Sequence, residues 1–369
     1  MKILYSCLSK SWGGMEMFTI TAVKQLLKRD IKVELLCSAE SRIHIEASRL
    51  GLIIHPIKAA GYLHPFSTLK LISILMRGGF ALIHTQASKD LWLLVPALKI
   101  LRKETPLILT KQVGSFIVKK DFLHNLIYKR LNCALAISRV IEKNLIETTP
   151  LKKNKIILLH NGIDLTKFDP QKTNRQNVRN EFNIKADELL IGMIARFSPG
   201  KGHEEFLFAA GELNKMFTNL KFIIVGEASR GENEYAKNIK NISEENKLDN
   251  LIFTGYREDI AELLAAMDIF VFPSHSEAFG IALAEAMAMG KPSVCANSDG
   301  VLDIAVENQT SLLFERKNGK DFTEKLNILI KSPEMRMRFG LAAKKRAENN
   351  FDLEILTDKV IDIYNKFLI

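Results

Sequence analysis

Cysteine is scarce in this chain: Cys7, Cys37, Cys133 and Cys295 are the four in 369 residues. No two of them stand at the spacing of a metal site, and each lies in or beside a short apolar run, so they read as buried free thiols in a reducing compartment. Long hydrophobic runs are lacking too. The most apolar window, Leu91 to Leu101, is broken by Pro96 and Lys99 and falls short of the roughly 20 residues that a bilayer crossing needs. The start, MKILYSCLSK, holds an apolar stretch of about six residues with no small-residue cleavage site after it, so no signal peptide is expected. There is no internal repeat and no low-complexity tract. A chain with 47% hydrophobic and 25% charged residues is neither disordered nor fibrous. The expectation is a cytoplasmic, folded protein.

What is present is charge of uneven sign. Fifty-two Lys and Arg against 42 Asp and Glu give +10. Residues 1–165 hold 25 basic and 11 acidic residues, hence +14, and the rest holds 27 and 31, hence −4. The length suits two domains of roughly 150–200 residues, and the unlike charges point to different partners for them.

Short apolar runs alternate with helical spacing through the first half. Strands are expected at Lys2–Cys7, Lys32–Cys37, Leu52–Ile57, Ala81–Thr85, Leu107–Thr110, Cys133–Ile137 and Ile156–His160, with helices such as Met17–Lys28, Thr68–Arg77 and Leu91–Lys103 between them. Buried strands alternating with helices indicate a doubly wound parallel sheet. The polar stretch Asn161–Phe182 breaks the rhythm and reads as a linker. Strands then resume at Leu189–Ala195, Phe222–Val225, Leu251–Thr254, Ile269–Phe272 and Ser293–Ala296, with helices Glu204–Phe217, Glu234–Lys247, Asp259–Met267 and Ile281–Met289. The last helix, Leu353–Leu368, follows no strand and packs back on one domain or the other.

In such sheets ligands bind beyond the carboxyl ends of strands, at helix N-termini. The richest segment there is Ser274-His275-Ser276-Glu277-Ala278-Phe279-Gly280, opening a helix that carries Glu285. Carboxylates beside a phosphate-binding helix end would repel the phosphate, so they suit sugar and ribose hydroxyls next to it; a capping acid plus a solvent-facing one is the plainer alternative. Arg196-Phe197-Ser198-Pro199-Gly200-Lys201-Gly202 follows another strand. Two cations across a Pro-Gly loop suit a diphosphate, although the Lys-Ser/Thr pair of a Walker loop is missing. Gly13-Gly14 after the first strand allows a close backbone approach, or marks a turn.

These segments resemble the retaining nucleotide-sugar glycosyltransferases of family 4, which have the GT-B fold. The resemblance rests on Gly13-Gly14 with Glu16, Asn161-Gly162-Ile163-Asp164, Arg196 with Lys201-Gly202, Val225-Gly226, Gly255-Tyr256, and Glu277-Ala278-Phe279-Gly280 through Glu285-Ala286-Met287-Ala288. It implies two doubly wound Rossmann-like domains with parallel sheets facing across a cleft: an acceptor domain at 1–165, joined by a helix at 352–369, and a donor domain at 166–351. It implies that Arg196 and Lys201 hold the donor diphosphate. Glu277, Ala278, Phe279, Gly280 and Ile281 hold the donor sugar, Glu285 takes the ribose hydroxyls, and Tyr256 and Arg257 lie near the base. Gly13 and Gly14 approach the diphosphate. Retention then proceeds by front-face attack, with Glu277, Arg196, Lys201 and His84 as the catalytic set. No Asp-x-Asp pair is present, and neither a metal nor another cofactor is expected.

One departure concerns the segment after the fifth strand. Family members often carry a histidine there, whereas this chain reads Leu109-Thr110-Lys111-Gln112. Lys111 and Gln112 are the replacements to consider on the acceptor side. His84, at the end of the fourth strand, is either a sugar contact or a hydrogen-bonded strand-end histidine. The basic first half concentrates charge at Lys111, Lys119-Lys120, Lys129-Arg130 and Lys152-Lys153-Lys155, interleaved with Phe116-Ile117-Val118 and Phe122-Leu123. This pattern is a solvated charged helix or a surface for an anionic membrane. The second reading makes the protein a peripheral enzyme on the inner face of the cell membrane, glycosylating a saccharide or lipid-linked acceptor of lipopolysaccharide type. RNA-reading motifs and aromatic–basic stripes are lacking, so nucleic acid is not an expected partner.

Overall fold

Runs of Ile, Leu and Val, apolar on both faces, build two sheets whose strands are all parallel. The computed structural model describes residues 1–58, 64–229 and 231–368. It divides into two units, Met1–Gly162 with Glu354–Ile369, and Ile163–Leu353. By that division the first unit carries 27 Lys and Arg against 13 Asp and Glu, again +14, and the second 25 against 29, again −4.

The first unit holds seven strands: β1 Lys2–Cys7, β2 Lys32–Ser38, β3 Ile53–Ile57, β4 Leu82–Thr85, β5 Leu107–Lys111, β6 Cys133–Ala136 and β7 Ile156–Leu158. Their order across the sheet is β3-β2-β1-β4-β5-β6-β7. The second unit has β8 Leu189–Ile194, β9 Leu220–Val225, β10 Leu251–Gly255, β11 Ile269–Phe272, β12 Ser293–Ala296 and β13 Ser311–Phe314, in the order β10-β9-β8-β11-β12-β13. Ile3, Tyr5, Leu35 and Leu82 are central to the first core; Ile191, Phe222, Ile224 and Val271 are central to the second. Burial of each such side chain contributes about 1.5–3 kcal/mol. All four cysteines are free and buried. Burial pushes the thiols up, Cys37 to about 11 and Cys7 to about 12, so they behave as small apolar side chains.

The order of strand addition reverses between β1 and β4 in one sheet, and between β8 and β11 in the other. At such a switch the loops leaving neighbouring strands diverge to opposite faces and open a crevice for a ligand. In the second unit those loops are 195–202 and 273–280, the two segments singled out by their chemistry.

Two features differ from the sequence reading, and the last helix goes where the resemblance implied. The stretch expected to be a linker belongs to the second unit from Ile163 onward and contains the helix Arg175–Glu181. Its polar composition hides Arg179, which is only 2% exposed. That guanidinium donates to the carbonyls of Ala266, Lys185 and Glu188 and pairs with Asp268 at 3.3 Å. The edge strand β13 and the helices Gly319–Lys331 and Pro333–Asn350 were not anticipated. The helix Leu353–Asn365 enters the first core with Ile363 and Tyr364, and Arg29 holds it through Glu354 at 2.8 Å and Asp358 at 2.5 Å. No helix among the described residues is long and apolar enough to cross a membrane.

Candidate functional site

The loop after β8 is pinned to the loop after β11 by backbone contacts. Gly200 and Gly202 both have left-handed φ, at 83° and 82°. A side chain at Gly202 would place its Cβ 2.4 Å from the Pro273 carbonyl oxygen, so only glycine allows this approach. The Gly200 carbonyl accepts from the His275 amide at 2.8 Å. Between these two glycines Lys201 extends to Glu277 and forms an ion pair with its carboxylate. Gly226, at φ 145°, lets the turn after β9 pass against β8, since a Cβ there would stand 2.0 Å from the Ala195 carbonyl oxygen. Arg196 is exposed and donates to Ser229 Oγ at 2.7 Å.

Glu277, Ala278 and Phe279 lead into Gly280, which precedes the helix Ile281–Ala288 at φ 106°. The first amides of that helix have no carbonyl one turn back, and the helix dipole gives its N-terminus partial positive charge. Lys201 and this helix end are thus brought together. Glu285, one turn into the helix and half-buried, is pushed up to about 7 by burial, with Lys167 opposing the rise. Glu277 thus faces a cation, while Glu285 lies in a poorly solvated place.

Residues not anticipated from sequence hold this loop in shape. The Gly300 amide donates to the Glu277 carbonyl at 3.0 Å, Ser298 Oγ donates to the Ser274 carbonyl at 3.0 Å, and Arg316 donates to the His275 carbonyl at 3.1 Å. His275 in turn meets Glu205 at 2.7 Å. The signal for Ser298 and Gly300 was positional, since they follow the buried strand β12 at its carboxyl end. His203 is buried, stacked on Phe197 at 4.6 Å and pushed down to about 4 by burial, which makes it a neutral packing residue.

The flanking expectations divide. Tyr256 is exposed, at 44%. Arg257 is engaged by Glu181, at 2.5 and 2.9 Å, and by Asp259, at 2.8 and 2.6 Å. Those contacts make Arg257 a brace for its loop. Gly13 is extended and precedes the helix Gly14–Leu27, in which Glu16 is buried.

In the first unit His84 is corrected. It is 1% exposed, its Nδ1 meets Tyr364 Oη at 2.5 Å and its Nε2 meets Thr110 Oγ1 at 2.7 Å. Burial pushes it down to about 3, so it is neutral, and both nitrogens are committed to tying the last helix to the sheet. It is a structural strut and has no nitrogen left for a sugar. Gln112 is likewise buried, in an amide chain that runs from Tyr5 through Gln86 to Gln112 at 2.8 Å and on to Asn161 at 2.9 Å. Lys111 is buried at the end of β5, with its ammonium on Ser88 Oγ at 2.8 Å. Lys119 is half-buried and Lys120 exposed. Beside them Phe116, Ile117, Val118 and Phe122 are exposed at 104%, 68%, 62% and 75%. This ridge is mostly loop, becoming helical only at Phe122–Tyr128.

Two family models match the chain: Glycosyltransferase Family 4 over residues 12–167 and Glycosyl transferases group 1 over residues 174–346. Among curated relatives, the capsular polysaccharide biosynthesis glycosyltransferase CapM of Staphylococcus aureus is 28% identical over 63% of this chain and 61% of its own length. The N,N'-diacetylbacillosaminyl-diphospho-undecaprenol alpha-1,3-N-acetylgalactosaminyltransferase of Campylobacter jejuni is 27% identical over 86% of both chains. Among solved structures, a glycosyltransferase from Rickettsia africae superposes with a TM-score of 0.90 at 21% identity, covering 100% of this chain and 98% of that one. Anabaena HepE in complex with UDP and glucose superposes with a TM-score of 0.84 at 21% identity, covering 99% of both chains. With these models spanning both units, and with sheets that match GT-B structures, the chain belongs to glycosyltransferase family 4, the group 1 glycosyltransferases of GT-B fold.

Proposed function

We propose that the protein is a retaining, metal-independent glycosyltransferase that moves a sugar from a nucleoside-diphosphate donor to a saccharide or lipid-linked acceptor in cell-envelope glycan synthesis. The unit Ile163–Leu353 takes the donor and the basic unit takes the acceptor. The observation that carries this reading is the Lys201–Glu277 pair seated beside the N-terminus of the helix Ile281–Ala288. The donor diphosphate lies on Lys201, Arg196 and the helix amides, and the sugar hydroxyls donate to Glu277 and lie along Ala278 to Ile281. Tyr256 and Glu285 flank the nucleoside. The Campylobacter relative's name specifies a lipid-linked diphosphate substrate and HepE is bound to UDP, which support the substrate classes.

In the reaction the bond from the anomeric carbon to the phosphate oxygen breaks, and a bond to the acceptor oxygen forms on the same face. The acceptor proton passes to a phosphate oxygen of the leaving nucleoside diphosphate. Negative charge grows on that group, and preorganised cations and amides stabilise it without reorganisation. Incubation with labelled UDP-, GDP- and ADP-sugars and a lipid extract tests the reading. A labelled lipid or glycan with retained anomeric configuration is expected; release of free sugar alone indicates a hydrolase instead.

An anionic membrane surface is the proposed seat of the enzyme, on the inner face of the cell membrane. The exposed ridge Phe116 to Val118 and Phe122, beside Lys119 and Lys120, supplies apolar contact and charge together. Flotation with phosphatidylglycerol vesicles at low salt is expected to carry the protein, and the triple change Lys119→Ser, Lys120→Ser, Phe122→Ser to abolish it. Unchanged flotation rejects this surface.

Glu285 predicts a pH signature. Its folded pKa, about 7, lies above the ordinary 4.5. The stability it contributes is therefore present below 4.5 and is lost as pH rises through about 7. Thermal unfolding of Glu285→Gln is expected to gain on the parent across that window, by up to about 3 kcal/mol, and to match it at pH 4. A gap independent of pH contradicts the assignment.

A further inference from the structure

Lys111 is only 6% exposed, and burying an ammonium without a counter-ion is costly. Its sole hydrogen-bond partner among the described residues is a neutral hydroxyl, Ser88 Oγ at 2.8 Å. The charge that acts on it is a second cation, Lys119, and Lys119 in turn feels Lys89. Tyr128, 1% exposed, brings its hydroxyl up to Ser88, and that hydroxyl has no hydrogen-bond partner among the described residues. Asp90 stands nearby in sequence, but its carboxylate is turned to Ser6 Oγ at 2.7 Å, Thr85 Oγ1 at 2.9 Å and the Leu8 amide at 3.2 Å.

The groups that gather around Ser88 are therefore all able to donate: one buried ammonium, two hydroxyls, and two further lysines. A ligand that complements them accepts hydrogen bonds on every face and carries more than one negative charge. A phosphate has that chemistry; a neutral sugar hydroxyl or a single carboxylate does not. Burial pushes Lys111 down to about 7, as expected for a cation awaiting its anion.

We infer that Lys111, Ser88 and Tyr128, with Lys89 and Lys119 beside them, form a binding site for a phosphate group. The site rests on the proposal that this unit is the acceptor side, and it makes the acceptor, or the lipid that presents it, phosphate-bearing.

Titration of the full chain with inorganic phosphate, followed by calorimetry, tests the site. Lys111→Met is expected to weaken binding by about tenfold or more, as for a lost charge-assisted hydrogen bond. Tyr128→Phe removes a hydroxyl without a hydrogen-bond partner among the described residues, thermal unfolding confirms that the variant is folded, and a loss of about three- to tenfold is expected. Lys201→Ala, in the other unit, keeps this binding and so separates it from the donor diphosphate site. Two further arms distinguish the sources of the phosphate. If Lys111→Met also loses phosphatidylglycerol vesicles, the group is a lipid headgroup. If it floats normally but its acceptor KM rises, the group belongs to the acceptor. Phosphate binding that is absent from the parent, equal in Lys111→Met and Tyr128→Phe, or lost only in Lys201→Ala overturns the site. Those outcomes leave nucleotide binding and sugar transfer untouched, so they are distinct from a failure of the transferase reading.

Discussion

Lys201→Ala is expected to lower kcat/KM by about 10²–10³-fold while leaving the fold intact. In the proposed donor site its ammonium does two things. It stands where charge grows on the leaving diphosphate, and it neutralises Glu277, to which it is already paired. Removing it therefore deletes an attraction and leaves a carboxylate beside the incoming anion. The two side chains keep only 23% and 17% of their exposure, so the variant also loses some stability, and its kinetics are read on a chain shown to be folded.

The second effect separates this site from a simple electrostatic patch. Glu277→Gln alone is expected to weaken grip on the sugar hydroxyls, since an amide oxygen accepts less strongly than a carboxylate. In the Lys201→Ala background the same change also relieves repulsion, so the double variant should be less impaired than the product of the single effects. Steady-state kinetics over the four proteins measure this coupling. Near-normal turnover by a folded Lys201→Ala chain overturns the placement of the donor.

Sequence made much of this architecture readable because parallel strands covered on both faces are short, continuous apolar runs, and β1, β11 and β12 match their expected bounds. The site loops were readable for the same reason, as they begin where those runs stop. What escaped was whatever depends on long-range partners. His84 stands at the carboxyl end of β4 like a catalytic residue, but Tyr364, 280 residues away, occupies one of its nitrogens. Arg257 looks like a base contact until Glu181 claims it from a helix whose polar sequence resembled a linker. Lys111 read as a replacement for the missing histidine and as part of a basic segment, but its burial was hidden, because burial of a cation leaves no trace in local composition. The edge strand β13 follows a helix of only four residues, Val301–Ile304, so the strand–helix alternation that marked the other strands is missing before it.

Gly300→Ala is expected to damage the proposed donor site from outside it. Gly300 has an ordinary backbone, φ −67° and ψ −12°, so alanine introduces no torsional strain. The obstacle is space: its Cβ would stand 2.4 Å from the Ala278 carbonyl oxygen and 2.9 Å from that of Glu277. Both are backbone atoms of the loop that presents Glu277, so no flexible side chain can move aside. The loop must retreat, taking Glu277 off Lys201 and stretching the 3.0 Å bond from the Gly300 amide to the Glu277 carbonyl. A displacement on the order of 1 Å at a reacting centre costs about 10²-fold in rate, and crowding a packed interior costs about 1–3 kcal/mol. Gly211 supplies the contrast, since it lies within the helix His203–Asn214 and its Cβ would find its nearest atom 4.0 Å away, on Leu248. Gly211→Ala should keep full activity and gain about 0.5–1 kcal/mol in stability from the better helix former. Kinetics and thermal unfolding of the two variants side by side decide the matter: a Gly300→Ala chain as active as Gly211→Ala would mean that the Glu277 loop does not hold the donor in the position proposed.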